Sequence, residues 1–211
     1  MKLSDVERIA LKDALLLKGP DAPTLCGEWT TRDLAVHLYV REQHPLSNLK
    51  AQLPFGGNAS DDLTAKTAQR SFEEVVEEWA AGPKGMNPWC ALDSIGNGME
   101  HYIHHEDVLR GAAESSADVD VRPLLPEHKK QLLRILKLLA PRLVKSPRPV
   151  VLWPTGLPRI VLHEGRGVTA EGADVCRVSG EVGELLLWVS GRDIVKLTFD
   201  GNQEGITRGG F

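Results

Sequence analysis

The stretch Asn97-Gly-Met-Glu-His-Tyr-Ile-His-His-Glu-Asp-Val-Leu-Arg110 decides how this chain is read. Its fourteen residues hold three of the seven histidines, three acids and one arginine. A helix brings residues four apart onto one face, so Glu100 pairs with His104 and His101 pairs with His105. Either pair offers two ligands at the reach a divalent metal needs. A helix face whose histidines make local hydrogen bonds is the simpler alternative. At about 100° per residue, Ile95, Met99, Tyr102 and Ile103 form an apolar stripe, and the two pairs lie on its opposite flanks. Periodicity therefore leaves the choice between the pairs open.

Working outward, the residues before this stretch also read as helices. Ser4-Asp-Val-Glu7 has the spacing of a capping box, and Val6, Ile9, Ala10, Leu11, Leu15 and Leu16 follow at helical intervals. Gly19-Pro20 stops that helix after Lys18. Thr30 and Asp33 form a second capping box, opening a helix with Leu34, His37, Leu38 and Arg41 on one face. Pro45 lies at or just past its end. His37 shares that inward face, which makes it the best supplier of a third metal ligand; catalytic zinc sites keep three protein ligands and one open position. His44, His128 and His163 have no such pattern and read as surface or locally hydrogen-bonded residues. A turn falls at Pro54 to Asn58. A third helix is expected from about Ser60 to Ala81, with Glu73, Glu74, Glu77 and Glu78 as its solvated face. A loop over Gly82 to Asp93 precedes the histidine-rich helix, expected from Ser94 to Ala113. Pro126 opens a fifth helix at the position where proline is tolerated. Asp107 and Glu106 are candidates for a general base; Asp107, seven residues after Glu100, suits equally a hydrogen bond to a ligand, and Arg110 suits an i,i+4 pair with Glu106. Together these predict an antiparallel helical bundle over residues 1–145.

The character changes at Ser146-Pro-Arg-Pro149. Val150–Trp153 and Arg159–Leu162 read as a hairpin, and Asp174–Val178 and Val195–Phe199 as further strands. Between the latter, Gly183-Glu-Leu-Leu-Leu-Trp-Val-Ser-Gly-Arg192 reads as a short buried helix ending at Gly191. The fold class is α+β, with a small α+β domain over residues 146–211.

Composition narrows the function. The chain has 211 residues and a formal net charge of -4, which argues against a nucleic-acid binder driven by charge. No apolar run approaches the roughly 20 residues a bilayer crossing needs, so no membrane partner is expected. The N-terminus is charged at once and lacks a signal peptide's apolar core, which implies a cytoplasmic protein. Cys26, Cys90 and Cys176 make neither a disulfide framework nor a CxxC site and read as small buried thiols.

The segment Gly27-Glu-Trp-Thr-Thr-Arg-Asp-Leu-Ala-Val-His-Leu38, with Met99-Glu-His-Tyr-Ile-His-His-Glu-Asp-Val108, resembles the actinobacterial maleylpyruvate isomerase-like proteins. These belong to the wider DinB-like superfamily of metal-binding four-helix bundles. Val178-Ser-Gly180, Leu185 to Arg192 and Val195 to Gly201 resemble the family's C-terminal domain, so the likeness spans nearly the whole chain. It implies one divalent ion, usually zinc, held by His37, Glu100 and His104. It also implies mycothiol as a thiol cofactor, an unsaturated anionic substrate, and Arg192 as the clamp for that substrate's carboxylates. Two functions follow from it: a thiol-dependent isomerase or transferase, and a non-catalytic metal-binding or regulatory module that has kept the bundle. The short proline-bounded link at 146–149 predicts that the C-terminal domain covers the open end of the bundle, with the metal in a cleft between the domains and Arg192 left free to point at that cleft.

Overall fold

The computed structural model describes residues 1–44, 59–82, 94–163 and 175–209. Pro45, the turn read at Pro54 to Asn58, Cys90 and nearly all of the Gly82–Asp93 loop lie outside those residues. The chain is α+β and divides into two compact units, Met1–Ala112 and Ala113–Phe211. Among the described residues no helix is long and apolar enough to cross a membrane.

The first unit is helical: α1 Leu3–Lys18, α2 Thr31–Gln43, α3 Ala59–Ala68, α4 Phe72–Ala80 and α5 Ser94–Arg110. Helix α1 starts without the expected capping box. Lys2 occupies the N-cap position with no side-chain bond, and Glu7 is drawn inside, where His105 Nδ1 donates to its Oε2 at 2.8 Å. The helix ends at Gly19, whose φ of 76° suits glycine. In α2 the Thr30–Asp33 capping box is present: Thr30 Oγ1 accepts from Asp33 N at 3.3 Å, and Asp33 Oδ2 accepts from Thr30 N at 2.9 Å. The single helix expected over 60–81 is two helices. Ser71 caps α4 by accepting from Glu74 N, and the apolar spacing that runs through the break concealed it. Glu73, Glu74 and Glu77 are exposed as read.

Side-chain pairs give the helix directions. Ser4 meets His101 and Glu7 meets His105, so α1 and α5 run the same way. Arg41 faces Asn97 and Glu100 while His37 faces His104, so α2 runs against α5. Arg32 lies over Phe72 and Gln43 reaches Glu78, so α2 and α4 are parallel. The order is up, down, down, up, not the simple alternation that an antiparallel bundle suggests. Leu11, Leu15, Leu34, Leu38, Phe72, Val76, Trp79 and Val108 fill the core between α1, α2, α4 and α5.

The second unit holds a 3-10 turn at Ser116–Asp118, α6 Pro126–Leu143, β1 Val144–Lys145, β2 Val150–Pro154, β3 Ile160–Leu162, β4 Cys176–Gly180, α7 Val182–Val189, β5 Thr198–Asp200 and β6 Thr207–Arg208. The expected hairpin forms, with Val151 opposite Val161. One sheet runs β3-β2-β4-β5, in which β2 and β4 are parallel and the edge pairings antiparallel; β1 and β6 pair separately. Every residue of α7 is buried, including Glu184, which accepts from Lys196 N at 2.7 Å. Helix α6, read from sequence with the bundle, packs on α7 and β3 and so belongs by its contacts to this unit, which begins at Ala113 rather than at 146. Its Leu132 and Leu136 are fully buried. His128, read as a surface or locally hydrogen-bonded residue, is not at the surface but buried. His163 takes a φ of 57° and sets Nε2 2.9 Å from the Val144 carbonyl oxygen.

Candidate metal centre

Helix α5 is polar on several sides and buried on nearly all of them. From His101 to Arg110 only Leu109 is exposed. That combination requires partners, because a buried polar group without one costs several kcal/mol. Each flank of the apolar stripe finds them in a different place.

On the flank facing α1, His101 sets Nδ1 3.0 Å from the Ser4 carbonyl oxygen and donates Nε2–H to Glu42 Oε1 at 2.8 Å. Trp79 Nε1 donates to the same carboxylate oxygen at 2.7 Å, and Arg8 donates to the other. His105 is tied to Glu7 as described. Neither histidine joins a metal-competent cluster among the described residues. Below them Arg110 Nε donates to Glu106 Oε2 at 2.7 Å, the i,i+4 pair expected, with both side chains almost fully buried.

On the flank facing α2, ligand atoms of His37, Glu100 and His104 lie within 4.8 Å of one another. His104 Nε2 is 3.3 Å from Glu100 Oε2, and the rings of His37 and His104 meet edge to face with centroids 5.6 Å apart. Burial, helped by the neighbouring His104 charge, lowers the His37 pKa to about 4, so at neutral pH it is an uncharged donor. Burial alone would raise Glu100. The His104 hydrogen bond and the Arg41 guanidinium, whose Nε is 3.7 Å away, outweigh it and bring the carboxyl to about 2. A neutral imidazole beside an ionised carboxylate is the state in which both bind a metal.

His104 is held from its other side. Its Nδ1 donates to Asp107 Oδ2 at 2.9 Å, which turns Nε2 toward Glu100 and His37. Burial disfavours a charged His104 ring, yet the hydrogen bonds to Asp107, Cys26 and Glu100 prevail and hold its pKa well above the ordinary value. The donor set of two imidazoles and one carboxylate, one imidazole braced by a carboxylate, fits a zinc-type ion. His37, Glu100 and His104, with ligand atoms already within 4.8 Å of one another, are the residues that would hold such an ion.

Two residues at this place were not legible from the sequence. Cys26 Sγ lies 3.0 Å from Asp107 Oδ2 and 3.6 Å from His104 Nδ1, making a second donor cluster of Cys26, His104 and Asp107. Trp29, partly exposed, sets its ring 5.1 Å from that of His37. Both come from the α1–α2 loop. That loop is pinned by Leu25 N donating to the Asp107 carbonyl oxygen at 3.1 Å, and by Thr24 Oγ1 donating to the Trp29 carbonyl oxygen at 2.8 Å. No periodic pattern marks a loop residue, so only the folded chain shows them. Arg192, expected with a free guanidinium, is buried in the second unit, where Nη1 donates to the Ser190 carbonyl oxygen at 2.7 Å.

No protein-family profile and no curated protein sequence matches the chain. Solved structures do match in shape, and they define the class: this chain has a maleylpyruvate isomerase-like fold. The mycothiol-dependent maleylpyruvate isomerase superposes with a TM-score of 0.61 at 17% identity, over 95% of this chain and 91% of that one. A histidine-to-alanine mutant of that enzyme superposes equally, at 16% identity with the same coverage.

Proposed function

We propose that the protein binds one divalent metal ion, zinc by its donor chemistry, through His37, Glu100 and His104, and uses it in a thiol-dependent isomerase or transferase reaction. The observation that carries this reading is the convergence of those three donors within 4.8 Å on the one flank of α5 where His104 is also braced by Asp107. The likeness in fold to a mycothiol-dependent isomerase supports it, and with it the finer view of the first unit as a DinB-like four-helix bundle.

The chemistry a zinc ion supplies in such a place is a lowered pKa for a coordinated water or thiol, giving a nucleophile at neutral pH. The chain's own residues prepare that place. Glu100 brings negative charge, with Arg41 fixing its carboxylate. His37 is kept neutral by burial. Asp107 accepts the Nδ1 proton of His104 and aims its Nε2, whose proton leaves when an ion binds. The cosubstrate in this reading is a small thiol of the mycothiol class. The substrate in this reading is an unsaturated anion.

Metal analysis of purified protein tests the ligand set. The expected result is about one divalent ion per chain, lost in His104→Ala and retained in His101→Ala, or in the milder His101→Gln if the alanine variant melts. Loss of metal on changing His101, with retention on changing His104, would move the site to the other flank of α5 and overturn the proposal.

A further inference from the structure

The loop between α1 and α2 carries a thiol to the back of the proposed centre, and the way it is held suggests a purpose. Cys26 N donates to Thr24 Oγ1 at 3.1 Å, and the Cys26 carbonyl oxygen accepts from Trp29 N at 3.3 Å. Gly27 follows with a φ of 64°, which lets the chain turn straight after the cysteine. The loop is seated on the end of α5 by Leu25 N and by Gly111, where an added Cβ would stand 1.9 Å from the Pro23 carbonyl oxygen. Backbone on both sides therefore fixes where the Cys26 sulfur lies.

We infer that Cys26 is a positioning residue for the metal centre: its S–H donates to Asp107 Oδ2, the same oxygen that accepts Nδ1–H of His104, and so holds Asp107 where it aims Nε2 of His104 at the ion. The inference rests on the proposed ligand set of His37, Glu100 and His104. The geometry sets the sulfur on the Nδ1 side of His104, away from the Nε2 that faces Glu100. Sγ and Nδ1 lie 3.0 Å and 2.9 Å from Asp107 Oδ2, which are hydrogen-bond distances, and His104 Nδ1 faces away from Glu100 while Nε2 faces it. The sulfur thus works through Asp107 and His104. A thiol is a weak donor, but a carboxylate already accepting from an imidazole is a demanding acceptor, and outer partners of metal-binding histidines tune affinity.

The test compares wild type with Cys26→Ser, which keeps a donor, and with Cys26→Ala, which removes it. Cys26→Val stands in for the alanine variant if circular dichroism shows that the latter has lost its fold. Zinc affinity is read by chelator competition, and the coordination sphere by the absorption spectrum of the cobalt(II) form. The expected result is about ten-fold weaker zinc binding without the donor, with affinity in Cys26→Ser within a few-fold of wild type. The cobalt spectrum should show no thiolate-to-metal charge-transfer band in any of the three. Equal affinity in wild type and the donorless variant overturns the inference alone. A charge-transfer band in wild type that vanishes in Cys26→Ser overturns it in favour of Cys26 as a ligand. A wild-type chain that takes up neither zinc nor cobalt overturns the ligand set itself, and the inference falls with it.

Discussion

At the scale of single residues, the polar groups of α5 divide between proposed ligands and buried partners that hold the helices together. Spacing offers Glu100 and His104 alongside His101 and His105 without choosing between them, and His37 stands out by its place on an apolar helix face. Glu42 gave no such sign, although it collects His101, Trp79 and Arg8 around one buried carboxylate. Burial pushes the Glu42 pKa upward, but His101 and Arg8 together bring it below the ordinary 4.5. A carboxyl whose folded pKa is depressed stabilises the fold above its unfolded value, and that stability is lost as pH falls through the folded one. Glu42→Gln is therefore expected to cost about 3 kcal/mol at neutral pH, since it strips one partner from a buried pair. In urea melts, the gap between variant and wild type should narrow as pH drops below about 4.5. A gap that stays constant down to pH 3 would show that Glu42 acts by packing alone. Cys26 was beyond sequence reasoning for a different reason: it and Asp107 are 81 residues apart and share no periodicity.

At the scale of elements, several features set by local chemistry are legible in the sequence. The Thr30–Asp33 capping box, the Gly19 stop, the Glu106–Arg110 pair and the buried helix before Gly191 all depend on residues within a few positions of each other. The Ser4–Glu7 box failed because a distant histidine claimed Glu7, and the break at Ser71 was hidden by apolar spacing that ran through it. Gly111 is another case decided by tertiary contact. Its missing side chain is what lets the α1–α2 loop lie against the end of α5, with backbone atoms that cannot step aside. Gly111→Ala is expected to destabilise the protein by about 1–3 kcal/mol. Each 1 kcal/mol lowers the melting temperature by roughly 2–4 °C for a protein of this length. An unchanged thermal melt would mean that the loop has room to shift.

At the scale of the whole molecule, the α+β class was legible because the pattern of periodicity changes near residue 146. The assignment of α6 was not, because an amphipathic helix does not say which neighbour its apolar face will meet. With α6, the second unit gains a helix whose Leu132 and Leu136 are fully buried. Arg192 lies in that unit, buried, with Nη1 donating to the Ser190 carbonyl oxygen. Arg192→Ala is therefore expected to destabilise the protein by about 1–3 kcal/mol, read by thermal melts, while leaving its metal content unchanged. An unchanged melt would show that this bond adds nothing to the fold. The parallel pairing of α1 with α5 has a consequence for how the protein is made. Ser4 and His101 are 97 residues apart, and Glu7 and His105 are 98, so α1 leaves the ribosome well before the helix it pairs with and waits for it. Closing so long a loop adds little to the equilibrium, about 0.6 kcal/mol for each doubling of length, but it delays folding. The proposed ligands stand on both sides of that delay, His37 early in the chain and Glu100 and His104 late. A metal ion bound by all three recognises only the closed unit, and during biogenesis it would draw the growing chain toward completion.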